Sequence, residues 1–179
     1  KIAPEVIVEV FVRRIHDSYS NDLTEKVIID VGAAVGDTAL YFASKGANVY
    51  AVEMTKSNYD RMIENLKLNP NLSKKITPIH CAVGKDELIE YYDNSSDDIS
   101  STAGASFLMN KYGNQAVKNS VMGMSIKTII NKFQISNVDL LKMDCKGCEY
   151  LLNENDLKFV RNIKIEYVRY DPSHKLDLI

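Results

Sequence analysis

The sequence predicts a doubly wound α/β domain built on a mostly parallel sheet. Short apolar runs rich in β-branched residues alternate with stretches of helical periodicity, the pattern of strand–helix–strand units joined by right-handed crossovers. The first run, Val27 to Val31 (VIIDV), is apolar apart from one acid, as a strand buried on both faces requires. It leads directly into the small-residue turn Gly32-Ala33-Ala34-Val35-Gly36, which lets a ligand approach the backbone closely. At 179 residues the chain is long enough for one core and too short for two ordinary domains.

The elements follow in order. Ala3 to Ile15 sets Val6, Val10 and Ile15 among charged residues, a spacing compatible with a covering helix. After the first strand and its turn, Asp37 to Ser44 reads as a helix closed by Gly46, and Asn48 to Val52 as the second strand. Lys56 to Leu68 carries Tyr59, Met62, Ile63 and Leu66 at helical spacing and stops at Asn69-Pro70. Ile76 to Val83 is a third strand, and Pro78 places it towards the sheet edge. Between Gly84 and Gly123 periodicity fades: Leu88 to Tyr92 reads as a strand, and Asn94 to Gly104 as a mobile, serine-rich lid. Ser125 caps a helix running to Phe133, and Val138 to Met143 (VDLLKM) is a fourth buried strand. A helix from Cys148 to Asn153 and a fifth strand from Ile163 to Val168 complete the reading.

Lysine plus arginine (22) nearly balance aspartate plus glutamate (24), so no overall field holds a polyanion, and nucleic acid is an unlikely partner. No apolar run is long enough to span a membrane, and the first residues do not resemble a signal peptide. A cytoplasmic protein is expected, and the start at Lys1 and end at Ile179 suggest a longer native chain. Three cysteines do not make a disulfide framework. Cys145 and Cys148 form a CxxC, a redox pair or half of a zinc site; with the histidines scattered, incidental thiols are the favoured reading and no metal is expected.

In doubly wound sheets a ligand lies beyond the carboxyl ends of the strands, where strand order reverses. The turn after Asp30 therefore carries the expected cofactor site, and the helix start behind it offers unpaired N–H groups. A dinucleotide fingerprint would read GxGxxG, but Gly32, Ala34 and Asp37 stand at those positions. An acid at the third place repels a pyrophosphate and attracts the amino group and sulfonium of S-adenosylmethionine (SAM). Glu53, ending the second strand, is placed to accept both ribose hydroxyl hydrogens. The competing reading is an α/β domain whose glycine turn and strand-end acid are merely structural.

Asp30-Val31-Gly32-Ala33-Ala34-Val35-Gly36-Asp37-Thr38, Val52-Glu53, Ala82-Val83-Gly84 and Leu141-Lys142-Met143-Asp144-Cys145-Lys146-Gly147-Cys148-Glu149 together resemble the FkbM family of SAM-dependent methyltransferases. The resemblance runs from about Val27 to Tyr167, with Gly104-Ala105-Ser106 and Ser125 to Ile129 in the family's order. Its last block usually reads LLKxDxEGxE, and this chain has Lys146 where the family has glutamate. The resemblance implies a Rossmann-like class I methyltransferase fold over residues 27–179, with residues 1–26 as a covering segment. Such folds usually finish with a hairpin of strands six and seven, so a C-terminally truncated sheet is expected. It implies SAM as cofactor, touched by Asp30, Gly32, Ala33, Ala34, Gly36, Asp37, Glu53 and Ala82. It also implies O-methylation of a hydroxyl on a small molecule, glycan or lipid. An RNA methyltransferase, or a degenerate SAM- or nucleotide-binding module, are the alternatives.

Methyl transfer is an in-line displacement that needs alignment and water exclusion, and an alcohol acceptor gains from a general base. Asp144, ending the fourth strand beside the turn, is the leading candidate for base; its structural alternative is a helix cap. Glu166, an acid within an apolar strand, is either a second site acid or an edge residue facing water. Lys142 is expected to snorkel or pair with a neighbour, and His80 to be packed. Asp144 with Glu149 has the residue types for part of a magnesium site, but spacing alone establishes no oxygen shell.

Overall fold

The computed structural model describes residues 8–13, 15, 22–93, 117–145 and 147–166. Its centre is β1 (Val27–Val31), flanked by β2 (Asn48–Glu53) on one side and β7 (Leu140–Met143) on the other, with β3 (Ile76–His80) and β8 (Ile163–Ile165) at the edges. The order β3-β2-β1-β7-β8 is parallel throughout. Strand order therefore reverses between β1 and β7, which is where the small-residue turn emerges.

The alternation of side chains along each strand divides the core in two. Ile28, Val49, Ala51 and Leu140 face one layer, against α1 (Asp37–Ser44) and α2 (Lys56–Leu68), with Phe42, Leu40, Met62 and Leu66 as the helices' contribution. Ile29, Val31, Val52, Leu141 and Met143 face the other, against Ile126, Ile129 and Ile130 of α4 (Ile126–Lys132). Each such aliphatic side chain contributes roughly 1.5–3 kcal/mol on burial. The sequence marks Asn69-Pro70 only as a stop, but a short α3 (Pro70–Ser73) follows α2, with its proline at the helix start where the missing N–H costs nothing.

Pro78 does lie on an edge strand. Cys81 N donates to Glu53 O at 3.2 Å, so odd-numbered amides face β2 and Pro78 turns its missing N–H outwards. The third strand is not one run to Val83. It breaks at Cys81, and β4 (Ala82–Val83) pairs instead with β6 (Val117–Met124) in a second, three-stranded sheet of order β4-β6-β5. There β5 (Leu88–Asp93) and β6 form an antiparallel pair that periodicity did not show.

Other boundaries differ as well. The fifth strand stops at Ile165, leaving Glu166 just beyond it with its N–H donated to Met143 O (2.8 Å). Cys148 to Leu151 is a single 3-10 turn rather than an α-helix. After it comes α5 (Glu154–Leu157), opened by a capping box of Asn153 and Asp156. At the N-terminus Val8 to Val12 makes a π-helical turn, seating Val10 in the core and Phe11 edge-on to Tyr41 at 5.5 Å. Ser125 caps α4 as expected, its Oγ accepting from Thr128 N at 3.1 Å. The stretch Asn94 to Gly104, Lys146 and everything after Glu166 lie outside the described residues.

Candidate active site

The turn after β1 is held by its neighbours rather than by itself. Gly32 N and Ala33 N both donate to Val52 O (3.0 Å each), and Asp144 N donates to Val31 O (3.0 Å). Gly32 has φ 75° and packs so tightly on the end of β7 that a Cβ there would lie 2.0 Å from Asp144 O. Only glycine satisfies both conditions. Ala34 also has a positive φ, 46°, and its N–H points at Glu53.

Glu53 is 6% exposed, and both carboxylate oxygens are engaged: Oε2 accepts from Ala34 N (2.9 Å) and Oε1 from Thr55 N (2.8 Å). Burial raises its pKa, while the Thr55 and Ala34 amides and the Thr55 and Asn58 side chains oppose that rise. The acid thus closes the turn and presents its outer face to a cavity of about 650 Å³.

Around that cavity stand Gly32, Ala34 and Asp37 from the turn and α1, Glu53 from β2, and Ala82 from β4. Asp144 and Glu166 line it from the ends of β7 and β8, and Glu9 and Val10 from the N-terminal π turn. Seven of the ten residues expected to bind the cofactor or carry catalysis therefore converge on one space: Gly32, Ala34, Asp37, Glu53, Ala82, Asp144 and Glu166. Asp30, Ala33 and Gly36 do not reach it. Ala33 is buried, Gly36 backs onto Met62, and Asp30 lies wholly beneath the turn. Glu166 is an exposed residue at the mouth rather than an acid inside a strand. Asp37 is the opposite case, since burial and then the charge of Asp30 raise its pKa to about 6.

Asp30 and Lys142 form an ion pair at 2.9 Å, and both are buried. Their Cα positions are partners across the β1–β7 ladder. Lys142 Nζ is also 3.5 Å from Gly32 O, and neither Asp30 oxygen accepts a well-directed hydrogen bond among the described residues. Burial favours the neutral form of each partner. For Lys142 the charges of Asp30, Asp144 and Asp37 outweigh burial and raise its pKa. We take the pair as charged, because a neutral amine would leave three acids facing one another. Of the two expectations for Lys142, pairing with a neighbour holds and snorkelling does not: it is the cation on which the turn, α1 and β7 converge. Facing charges in register on two apolar strands were its signal.

Cys145 and Cys148 are joined in a disulfide and both line the cavity, which corrects their reading as incidental thiols. Cys81 is free and buried, its thiol pushed up to about 12 by burial. His80 is packed, its ring 4.9 Å from that of Tyr59 and its Nε2 3.0 Å from Met54 O. Thr38, Thr55, Asn58 and Lys164 line the cavity without having been singled out in the sequence. No helix among the described residues is long and apolar enough to cross a membrane.

Comparison with known proteins gives one family. The model of the FkbM methyltransferase domain matches residues 30–175. No curated protein matches the chain. Among solved structures, the precorrin-6Y C5,15-methyltransferase of Geobacter metallireducens GS-15 is similar with a TM-score of 0.51 at 10% identity, over 92% of this chain and 65% of that one. PRMT6 is similar with a TM-score of 0.44 at 19% identity, over 84% of this chain and 36% of that one. Protein arginine methyltransferase 10 of Arabidopsis thaliana is 32% identical over 42% of this chain and 23% of its own, with a TM-score of 0.33. The chain thus spans less than two thirds of the length of each of these structures.

Proposed function

The chain belongs to the FkbM family of SAM-dependent methyltransferases, and from that premise we propose that it methylates a hydroxyl oxygen on a small molecule, glycan or lipid, with Asp144 orienting the hydroxyl and taking its proton. The observation that carries this reading is that Glu53 and Asp144, from strands on either side of β1, line one cavity.

The residues fit SAM. Each Glu53 oxygen takes one backbone N–H and keeps lone-pair capacity for ribose hydroxyls. Asp37 puts an acid where a cationic amino group is attracted and a pyrophosphate repelled. Gly32 and Ala34 bring backbone to the cavity wall, and Ala82 closes the side beyond β3. When bound, SAM supplies a methyl carbon activated by its sulfonium. The chain's own work is then to hold the acceptor oxygen in line, exclude water and receive the hydroxyl proton. Asp144 is held at the end of β7 by its N–H bond to Val31 O.

The test is Asp144→Asn, assayed with an acceptor drawn from a panel of hydroxylated small molecules, glycans and lipids. Loss of a general base lowers turnover on the order of 100-fold or more. SAM affinity by calorimetry and thermal stability should stay close to those of the parent. Normal turnover, or weakened SAM binding as the main defect, overturns the assignment and makes Glu166 the next candidate.

A further inference from the structure

Three side chains beside the cavity have no task in methyl transfer as argued above: Cys145, Cys148 and Glu149. Their ligand atoms all lie within 4.8 Å of one another. Glu149 is 1% exposed, and its Oε2 accepts from Gly147 N at 2.7 Å and lies 3.5 Å from Cys145 Sγ. Its Oε1 is buried without a hydrogen-bond partner among the described residues. Leaving a buried acceptor unpaired is unfavourable, and more so for a carboxylate. The disulfide does nothing to relieve this, since a bonded sulfur pair has no S–H to donate.

The geometry points to a Zn²⁺ site formed by the two cysteines and Glu149 once the disulfide is reduced. Two thiolates and a carboxylate are anionic ligands suited to this ion, and two cysteines separated by two residues have the spacing found at zinc centres. The unpaired Glu149 oxygen is the ligand that the sequence alone did not place beside them. Three protein ligands leave a fourth position open. Both cysteines line the cavity that Asp144 also lines.

The chemistry balances with a thiol as reductant. Two thiols of the reductant give two electrons and two protons to the disulfide, become a disulfide themselves and leave Cys145 and Cys148 as thiols. Binding Zn²⁺ then releases those two protons, because thiolate is the ligand. Oxidation of the pair removes both thiolates and so expels the ion. The site does not depend on which acceptor is methylated, nor on Asp144 acting as base.

The experiment uses the full chain reduced with a phosphine, desalted without oxygen and titrated with Zn²⁺, or with Co²⁺ as a spectroscopic substitute. One ion per reduced chain is expected, with thiolate-to-cobalt charge-transfer absorption that Zn²⁺ abolishes and two protons released. The oxidised protein should bind none. Cys148→Ser should remove the charge-transfer signal of a paired site. Glu149→Gln should weaken Zn²⁺ by at least the roughly 10- to 100-fold that outer-shell partners alone are worth. Reduced wild-type protein that is folded by circular dichroism yet binds no Zn²⁺ overturns the proposal, as does Zn²⁺ binding undiminished in Cys148→Ser. If the variants fail to fold, the reduced and oxidised forms of the wild type decide alone. SAM affinity measured alongside reports on the methyltransferase reading separately.

Discussion

Replacing Lys142 with methionine keeps much of its length and removes its charge, leaving Asp30 wholly buried without a counter-ion. At the observed 2.9 Å and an effective dielectric of about 20, the attraction lost is about 6 kcal/mol. Methionine is not penalised for burial as an ammonium is, so the net loss should be nearer the 3–5 kcal/mol or so seen when one partner of a buried pair is removed. The loss should depend on pH. Burial already raises the pKa of Asp30, and without Lys142 the rise is larger. An unfolded aspartate releases its proton near pH 4 while the folded variant keeps it, so from there upwards the variant loses stability relative to wild type until the folded pKa is passed. Urea unfolding at pH 5 and pH 8 is the assay: a small deficit at the lower pH and the full one at the higher. The double variant Asp30→Asn/Lys142→Met should recover much of the loss. A deficit below about 1 kcal/mol at pH 8, or a double variant no better than the single, refutes the reasoning.

Glu53→Ala should weaken SAM by about 1.5–3 kcal/mol, the range for a charged hydrogen bond, and unchanged affinity by calorimetry would remove Glu53 from the cofactor site. With the Asp37 pKa raised to about 6 by burial and the Asp30 charge, SAM affinity should hold above that pH and fall as pH drops through it. Asp37→Asn should flatten that profile; a wild-type profile already flat between about pH 5 and 8 contradicts the role. Gly32→Ala forces a Cβ to within 2.0 Å of Asp144 O at a positive φ. It should cost at least about 2 kcal/mol in denaturant unfolding, and a neutral result would mean that the turn and β7 separate easily.

Most of the parallel sheet was legible because its central strands are buried on both faces and so carry largely apolar runs, VIIDV and VDLLKM above all, each interrupted by charge. Pro78 announced its edge through one missing donor. The strand at Val117 to Met124 was not legible: its residues VKNSVMGM alternate weakly, and Gly123 is there because a Cβ would lie 2.2 Å from Lys85 O. That constraint comes from a tertiary contact, which no local pattern encodes. The cavity residues were readable wherever chemistry coincided with a strand end, as at Glu53 and Asp144. That Lys142 would pair was readable, but its partner was not, because the partner depends on register, which sets Lys142 opposite Asp30. Likewise, spacing shows that Cys145 and Cys148 can meet, but only packing brings the unpaired Glu149 oxygen beside them.

The placement of β1 between β2 and β7 also sets an order of assembly. Val27 to Val31 meets β2 through a short helical crossover, whereas Ile28 finds Leu140 only across most of the chain's length. The closure entropy of the second pairing makes the β1–β2–β3 half the favoured early structure and the β7 contact a late one. Glu53 and the Ala34 amide can then meet before Asp144 arrives, while Asp30 waits for its cation. A ligand that touches both sides recognises only the finished sheet, so its binding energy acts on the last and slowest docking step and holds it shut.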